Sequence, residues 1–166
     1  DVATPQKLES EGKGSERFTY AIGQLGLWQK GGPAPDEATL RHWQGELAIA
    51  NPKTAPYGAA AMATLAHLMI DPKQYRVLTG TNISQTWQFV DTGNAELGFV
   101  ALSQVAQPGK PAVGSHWLVP AKYHTPILQD AVLLHKGAGK PAAQALLVYL
   151  RSDAAKAVIQ SYGYGL

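Results

Sequence analysis

The sequence predicts an α/β fold with a largely parallel sheet, and three observations predict it. Short apolar runs of strand length, such as Glu46–Ala50 and Leu97–Leu102, alternate with longer stretches whose apolar residues recur at helical spacing. The junctions carry Gly, Pro or a capping residue such as Asp36 or Asn82. The strand–helix alternation is the order that builds βαβ units.

Taken in order, GKGSER (Gly12–Arg17) and QKGGPAP (Gln29–Pro35) read as loops, rich in Gly, Pro and polar residues. Between them, Phe18–Trp28 is an apolar extended segment with glycine breaks, one strand or two. Asp36 is placed to cap a short helix through Trp43. Glu46–Ala50 is a buried strand ended by the turn signal Asn51–Pro52. The clearest helix spans Gly58–Met69, where Met62, Leu65, Ala66 and Met69 share a face. Asp71–Pro72 closes it. Tyr75–Leu78 reads as a strand, and Asn82–Val90 as a helix capped by Asn82 or Thr81. Leu97–Leu102 is short enough for a buried strand. After the loop QPGKPAVG come strands at Ser115–Val119 and Ile127–Leu134. Two helices close the chain, Pro141–Leu150 and Asp153–Tyr162, with Pro141 and Asp153 suited to their starts.

Composition excludes several classes. Hydrophobic residues at 45% against charged residues at 16% argue for a packed core and against disorder. Fourteen basic and 12 acidic side chains are balanced and dispersed, with no Lys/Arg cluster interleaved with aromatics, so a nucleic-acid partner is not expected. The absence of cysteine rules out thiolate metal sites and disulfides. No apolar run approaches the ~20 residues that cross a bilayer. The opening DVATPQKLES shows no signal peptide, which a processed secreted protein would also lack.

Nothing in the residues calls for an enzyme, a cofactor or a bound metal. His42, His67, His116, His124 and His135 include no i, i+4 pair and no HExxH pattern. His116 and His124 bracket a strand and turn and could meet, or could be ordinary core or surface residues. There is no GxSxG elbow and no GxxxxGK[ST] loop. No carboxylate pair sits in an apolar setting that would split two pKa values.

Two segments carry binding chemistry. NPKTAPYG (Asn51–Gly58) runs from a strand into a helix, with Pro56 setting the helix start and Tyr57 and Gly58 offering backbone donors in the first turn. GTNISQTW (Gly80–Trp87) does the same, with Asn82 as cap and Ile83 presenting its N–H. Helix starts combine unpaired N–H groups with the positive end of the helix dipole, which suits an anion. Two of them at the carboxyl ends of neighbouring strands lie where open α/β sheets bind ligands. The bland reading, a pair of ordinary strand-to-helix loops, stays open on the residues alone.

Five colinear segments then resemble one family. NPKTAPYGAAA (Asn51–Ala61), FTYAIGQLGLW (Phe18–Trp28), FVDTGNAELGFVALSQV (Phe89–Val105), YHTPILQDAVLL (Tyr123–Leu134) and SYGY (Ser161–Tyr164) are similar to stretches of periplasmic molybdate-binding proteins, receptors of bacterial ABC importers. The resemblance implies a type II periplasmic-binding-protein fold, with two α/β lobes joined by two crossover strands and closing on the ligand. On that template residues 1–28 are a remnant of lobe 1 with the first crossover. Residues 29–122 are a complete α/β lobe. Residues 123–166 supply the second crossover and the C-terminal helices of lobe 1. It implies a periplasmic protein that captures molybdate or tungstate and delivers it to a membrane permease. Its oxyanion is held by N–H groups and hydroxyls without a countercharge, through Tyr57 and Ile83, with Asn82, Ser84 and Gly58 as further candidates. One branch of the family adds a tyrosine hydroxyl after the LGFV strand, where this chain has Ala101. Lys53 then reads as a solvated loop lysine, and Trp28, Trp43, Trp87, Trp117 and Tyr123 as packing residues.

The family pattern also carries a first strand with a ligand loop, and a Gly-Ser-rich loop, ahead of the stretch resembling Asp1–Ser10. This sequence contains neither, so impaired binding is expected. Losing three or four donors to an anion would cost upwards of ~4 kcal/mol, roughly a thousandfold. The apolar faces with Leu146, Leu147, Leu150, Val158 and Ile159 would lack part of their cover, which points to a homo-oligomer or an exchange of elements. The alternatives are a receptor for sulfate or phosphate, or a self-associating fragment that binds nothing.

Overall fold

The computed structural model describes residues 1–166. In chain order the elements are α1 (Ala3–Ser10), β1 (Gly14–Gly23), β2 (Leu25–Gln29), α2 (Glu37–His42), β3 (Glu46–Ala50), α3 (Pro56–His67), β4 (Arg76–Gly80), α4 (Ile83–Asp91), β5 (Leu97–Ala101), α5 (Leu102–Val105), β6 (Ser115–Leu118), β7 (Ile127–Leu134), α6 (His135–Ala138), α7 (Pro141–Leu150) and α8 (Asp153–Ser161). They form two compact units, one from residues 24–126 and one from residues 1–23 with 127–166. The α/β class holds. The first unit takes in β2 and the Tyr123 turn, which the sequence reading gave to the flanking segments.

Residues 24–126 build a five-stranded sheet in the order β4-β3-β5-β2-β6. The pairs β3–β4 and β3–β5 are parallel, and β2 runs antiparallel to both β5 and β6. The sheet is therefore mixed, not largely parallel as expected. Alternation of strands and helices identifies the two crossovers, β3-α3-β4 and β4-α4-β5. It is blind to β6, which returns to the sheet through a loop with no helix of regular length.

The parallel centre is buried on both faces, so β5 reads as five consecutive buried residues and β3 as four after Glu46. Ala48 and Val100 pack with Val90 of α4, Trp28 and Val105. Side chains alternate along a strand, so Leu47, Ile49, Leu97 and Phe99 point to the other face, where α3 lies against β3 and β5. Thr64 and Thr86 are fully buried yet satisfied, each hydroxyl donating to the carbonyl one turn back (Ala60 and Asn82). Among the tryptophans, Trp28 is fully buried and stacks on Trp87 at 6.2 Å, as a packing role requires. Tyr123 stacks on His67 and donates its hydroxyl to Glu37.

The second unit is thinner. An antiparallel ribbon, β1 with β7, carries two register shifts, one beside Glu16, whose φ is +55°. Arg17 bridges Glu9 of α1 and Asp130 of β7, and Thr19 donates to the same carboxylate. Helix α1 was not anticipated, since ATPQKLES has a weak apolar face and buries no residue.

Other expectations shift at their ends. Helix α3 starts at Pro56, two residues before the expected Gly58, because Pro is fully compatible with a first helical position. Strand β5 stops at Ala101, and Leu102 opens α5. Of the five apolar residues expected to lack cover on α7 and α8, Leu147 is buried, Leu150 and Ile159 are half-buried, and Leu146 and Val158 are exposed.

Candidate functional site

The expected loops meet at one end of the sheet. Strands β3 and β4 finish in register, Ala50 opposite Gly80, and the Asn51 N–H donates to the Gly80 carbonyl at 2.8 Å. A right-handed crossover from β3 to β4 moves to one side of β3, whereas the crossover from β4 to β5 moves back past it. The two helices therefore leave toward opposite faces of the sheet. The carboxyl ends of β3 and β4 are thus the topological switch point, where such sheets place ligands in a crevice.

The first wall is rigid by construction. The Asn51 carbonyl accepts from Thr54 and Ala55, and its side-chain oxygen from Lys53, so one residue folds the whole turn. Pro56 occupies the first helical position and Tyr57, almost fully buried, the second. Gly58 differs from the expectation. Its N–H already has a partner within the protein, the Ala55 carbonyl at 3.0 Å. Its contribution is steric. A Cβ at Gly58 would stand 2.1 Å from the Ala50 carbonyl oxygen, so only glycine lets α3 sit this close to the end of β3.

The second wall is capped by side chains. Asn82 accepts from the Gln85 N–H at 2.9 Å, and Gln85 reaches back to the Thr81 N–H at 2.7 Å. The Asn82 amide oxygen is thereby committed to the helix, so Asn82 holds the loop's shape. Ile83 and Ser84 occupy the first two helical positions, and neither N–H finds an acceptor in the protein. Gly80 serves α4 as Gly58 serves α3, since a Cβ there would meet Thr86 Oγ1 at 2.6 Å.

Neither first turn carries an acidic residue, so both helix dipoles face the crevice without a competing carboxylate. Lys53 is exposed on the turn. A concavity of about 460 Å³ beside Trp43 and the Lys30–Asp91 ion pair lies at the amino ends of β3 and β5, away from these two helix starts.

Sequence reasoning missed Gln104. Its side-chain oxygen accepts from the Ala101 N–H at 3.0 Å, and its Nε2 donates to the Ile83 carbonyl at 3.3 Å. A Gln three residues beyond a strand end is a capping pattern, and that signal could have marked its first bond but not the second.

No group of three or more His, Asp or Glu side chains is placed to hold a metal ion. No helix is long and apolar enough to cross a membrane. The bacterial extracellular solute-binding protein family matches residues 1–165. The molybdate-binding protein ModA of Azotobacter vinelandii is 52% identical over all of this chain and 68% of its own length. ModA of Rhodobacter capsulatus is 44% identical over 99% of the chain and 66% of its own length. A solved periplasmic molybdate-binding protein of Azotobacter vinelandii superimposes with a TM-score of 0.90 at 36% identity, over 100% of this chain and 75% of that one.

Proposed function

We propose that this chain, which belongs to the bacterial extracellular solute-binding protein family, captures molybdate or tungstate in the periplasm and delivers it to an ABC permease. One observation carries the reading: two helix starts, α3 and α4, converge on a single crevice in which the Ile83 and Ser84 N–H groups are without acceptors. Such donors hold an oxyanion without a countercharge, as helix dipole and N–H groups act together. Tyr57, second in α3, contributes the opposite wall. The relatives named for molybdate favour that anion over sulfate or phosphate. A receptor of this kind binds and releases its solute unchanged, and nothing in its operation calls for catalysis.

The chain passes between its two units at residues 23–24 and 126–127, within or beside the stretches read as crossovers. We assign the unit of residues 24–126 as the complete lobe on that basis. We also propose that the unit containing α7 and α8 pairs with a second copy, since Leu146, Val148, Tyr149 and Val158 are each at least half exposed.

Calorimetric titration with molybdate, sulfate as control, tests the main reading. Saturable heat with molybdate alone is expected. A folded chain giving no heat with molybdate, or equal heat with both anions, would overturn it.

A further inference from the structure

We propose that Gln104 is a positioning residue for the anion site, holding and polarising the peptide between Ile83 and Ser84. The inference rests on the reading of the α4 start as an oxyanion donor.

Gln104 lies just past β5, two strands from β4, yet it reaches the first residue of the helix that follows β4. Its amide spans two elements. The oxygen is fixed by the Ala101 N–H at the end of β5, which leaves the NH₂ group directed at the Ile83 carbonyl. That assignment of oxygen and nitrogen is the only one that works, because a backbone N–H needs an acceptor and a carbonyl needs a donor.

The carbonyl of Ile83 and the N–H of Ser84 belong to one planar peptide, so fixing the first fixes the direction of the second. The carbonyl lies in the first turn of α4, where it also takes part in the helix ladder. A second donor on it draws electron density toward oxygen and makes the Ser84 N–H a stronger donor. Since that N–H has no protein acceptor, the gain is available to an anion in the crevice. The Asn82 cap sets the path of the loop, and Gln104 sets the pitch of the peptide that carries the Ser84 N–H. Gln104 also ties the end of β5 to the wall built on β4, just as the Asn51–Gly80 bond ties β3 to β4.

The test compares Gln104→Ala and Gln104→Glu with the unaltered full chain. Amide ¹H–¹⁵N spectra of the unliganded proteins read the Ser84 peptide directly. In Gln104→Ala the Ser84 resonance should move upfield and the Ala101 N–H should lose protection from exchange. In Gln104→Glu at pH 8 the carboxylate still accepts from Ala101 but has no proton for Ile83. Ala101 should stay protected while Ser84 shifts as in the alanine variant. Acidification should return Ser84 toward its original position as the carboxyl gains a proton, a reversal that a purely structural role would not give. Molybdate titrations at pH 7.5 should show affinity about tenfold weaker in either variant. An unmoved Ser84 resonance in Gln104→Ala, or unchanged affinity in both variants, would overturn the proposal. Absence of molybdate binding by the unaltered chain would instead defeat the oxyanion reading, and the Ser84 spectra would still decide whether Gln104 aims that peptide.

Discussion

The two units use their hydrophobic residues differently. In residues 24–126, strands β3 and β5 are sealed on both faces, and Trp28, Leu47, Leu65, Leu97 and Phe99 are buried almost completely. In the other unit the buried hydrophobic residues are few: Ala21, Ile127, Leu133, Leu147 and Ala155. That ribbon is held instead by the Arg17–Asp130 pair, the Thr19 bond and the Arg151 guanidinium over the Phe18 ring at 3.8 Å. A two-stranded ribbon alone is marginal in water. The difference teaches where a precise site can be built. The crevice donors stand on the unit whose buried core holds the strand ends in register, and the thinner unit keeps apolar surface to spare.

If that contrast is right, the largest effect should come from disturbing the sealed unit at its tightest point. Gly58→Ala puts a methyl group 2.1 Å from the Ala50 carbonyl oxygen, against backbone that has nowhere to go. A loss of ~3 kcal/mol or more is expected in urea unfolding, with molybdate binding abolished. A variant as stable as the parent would show that α3 is not seated on β3 as described. The thinner unit should respond in the opposite way. Leu146→Lys combined with Val158→Lys changes only exposed positions, so stability should move by less than ~0.5 kcal/mol. Light scattering should fall from the mass of a dimer to that of a monomer. A parent that is monomeric at high concentration would sink the self-association proposal and leave the contrast in burial intact.

Much of the sealed unit was legible in the sequence because its signals are local. Asp36 and Asn82 cap helices as read, and Glu46–Ala50 is a strand with the bounds the residues suggested. The two crevice loops were found because a strand followed by a helix start, marked by Pro56 in one and by the Asn82 cap in the other, has a signature within a dozen residues. The illegible part is what depends on distant partners. The direction of β2 and β6 is decided by pairing with β5, which no local pattern records. Gly58 looked like a donor because first-turn position is visible in sequence, whereas the turn that gives its N–H the Ala55 carbonyl and the Ala50 carbonyl that excludes a side chain are not. Gln104 was missed for the same reason, as its partner Ile83 lies 21 residues away.

A single hydrogen bond tests the rim of the sealed unit, where a polar group replaces apolar packing. Tyr75 is 6% exposed, and its hydroxyl donates to the Leu40 carbonyl at 2.6 Å, tying the start of β4 to α2. Burial pushes its pKa from an ordinary 10 up to about 12. The folded state therefore holds this proton more tightly than the unfolded chain does. Its contribution is complete below pH ~10 and declines as pH rises through 10 to 12. Ionisation would leave a phenolate facing a carbonyl oxygen with no proton between them. Tyr75→Phe should cost ~1 kcal/mol at pH 8, the worth of one hydrogen bond. The gap between parent and variant should then narrow as pH climbs from 10 toward 12, because the parent loses what the variant never had. Urea midpoints measured across that interval decide it, and curves that stay parallel would mean that the Leu40 contact is not made by a buried neutral phenol.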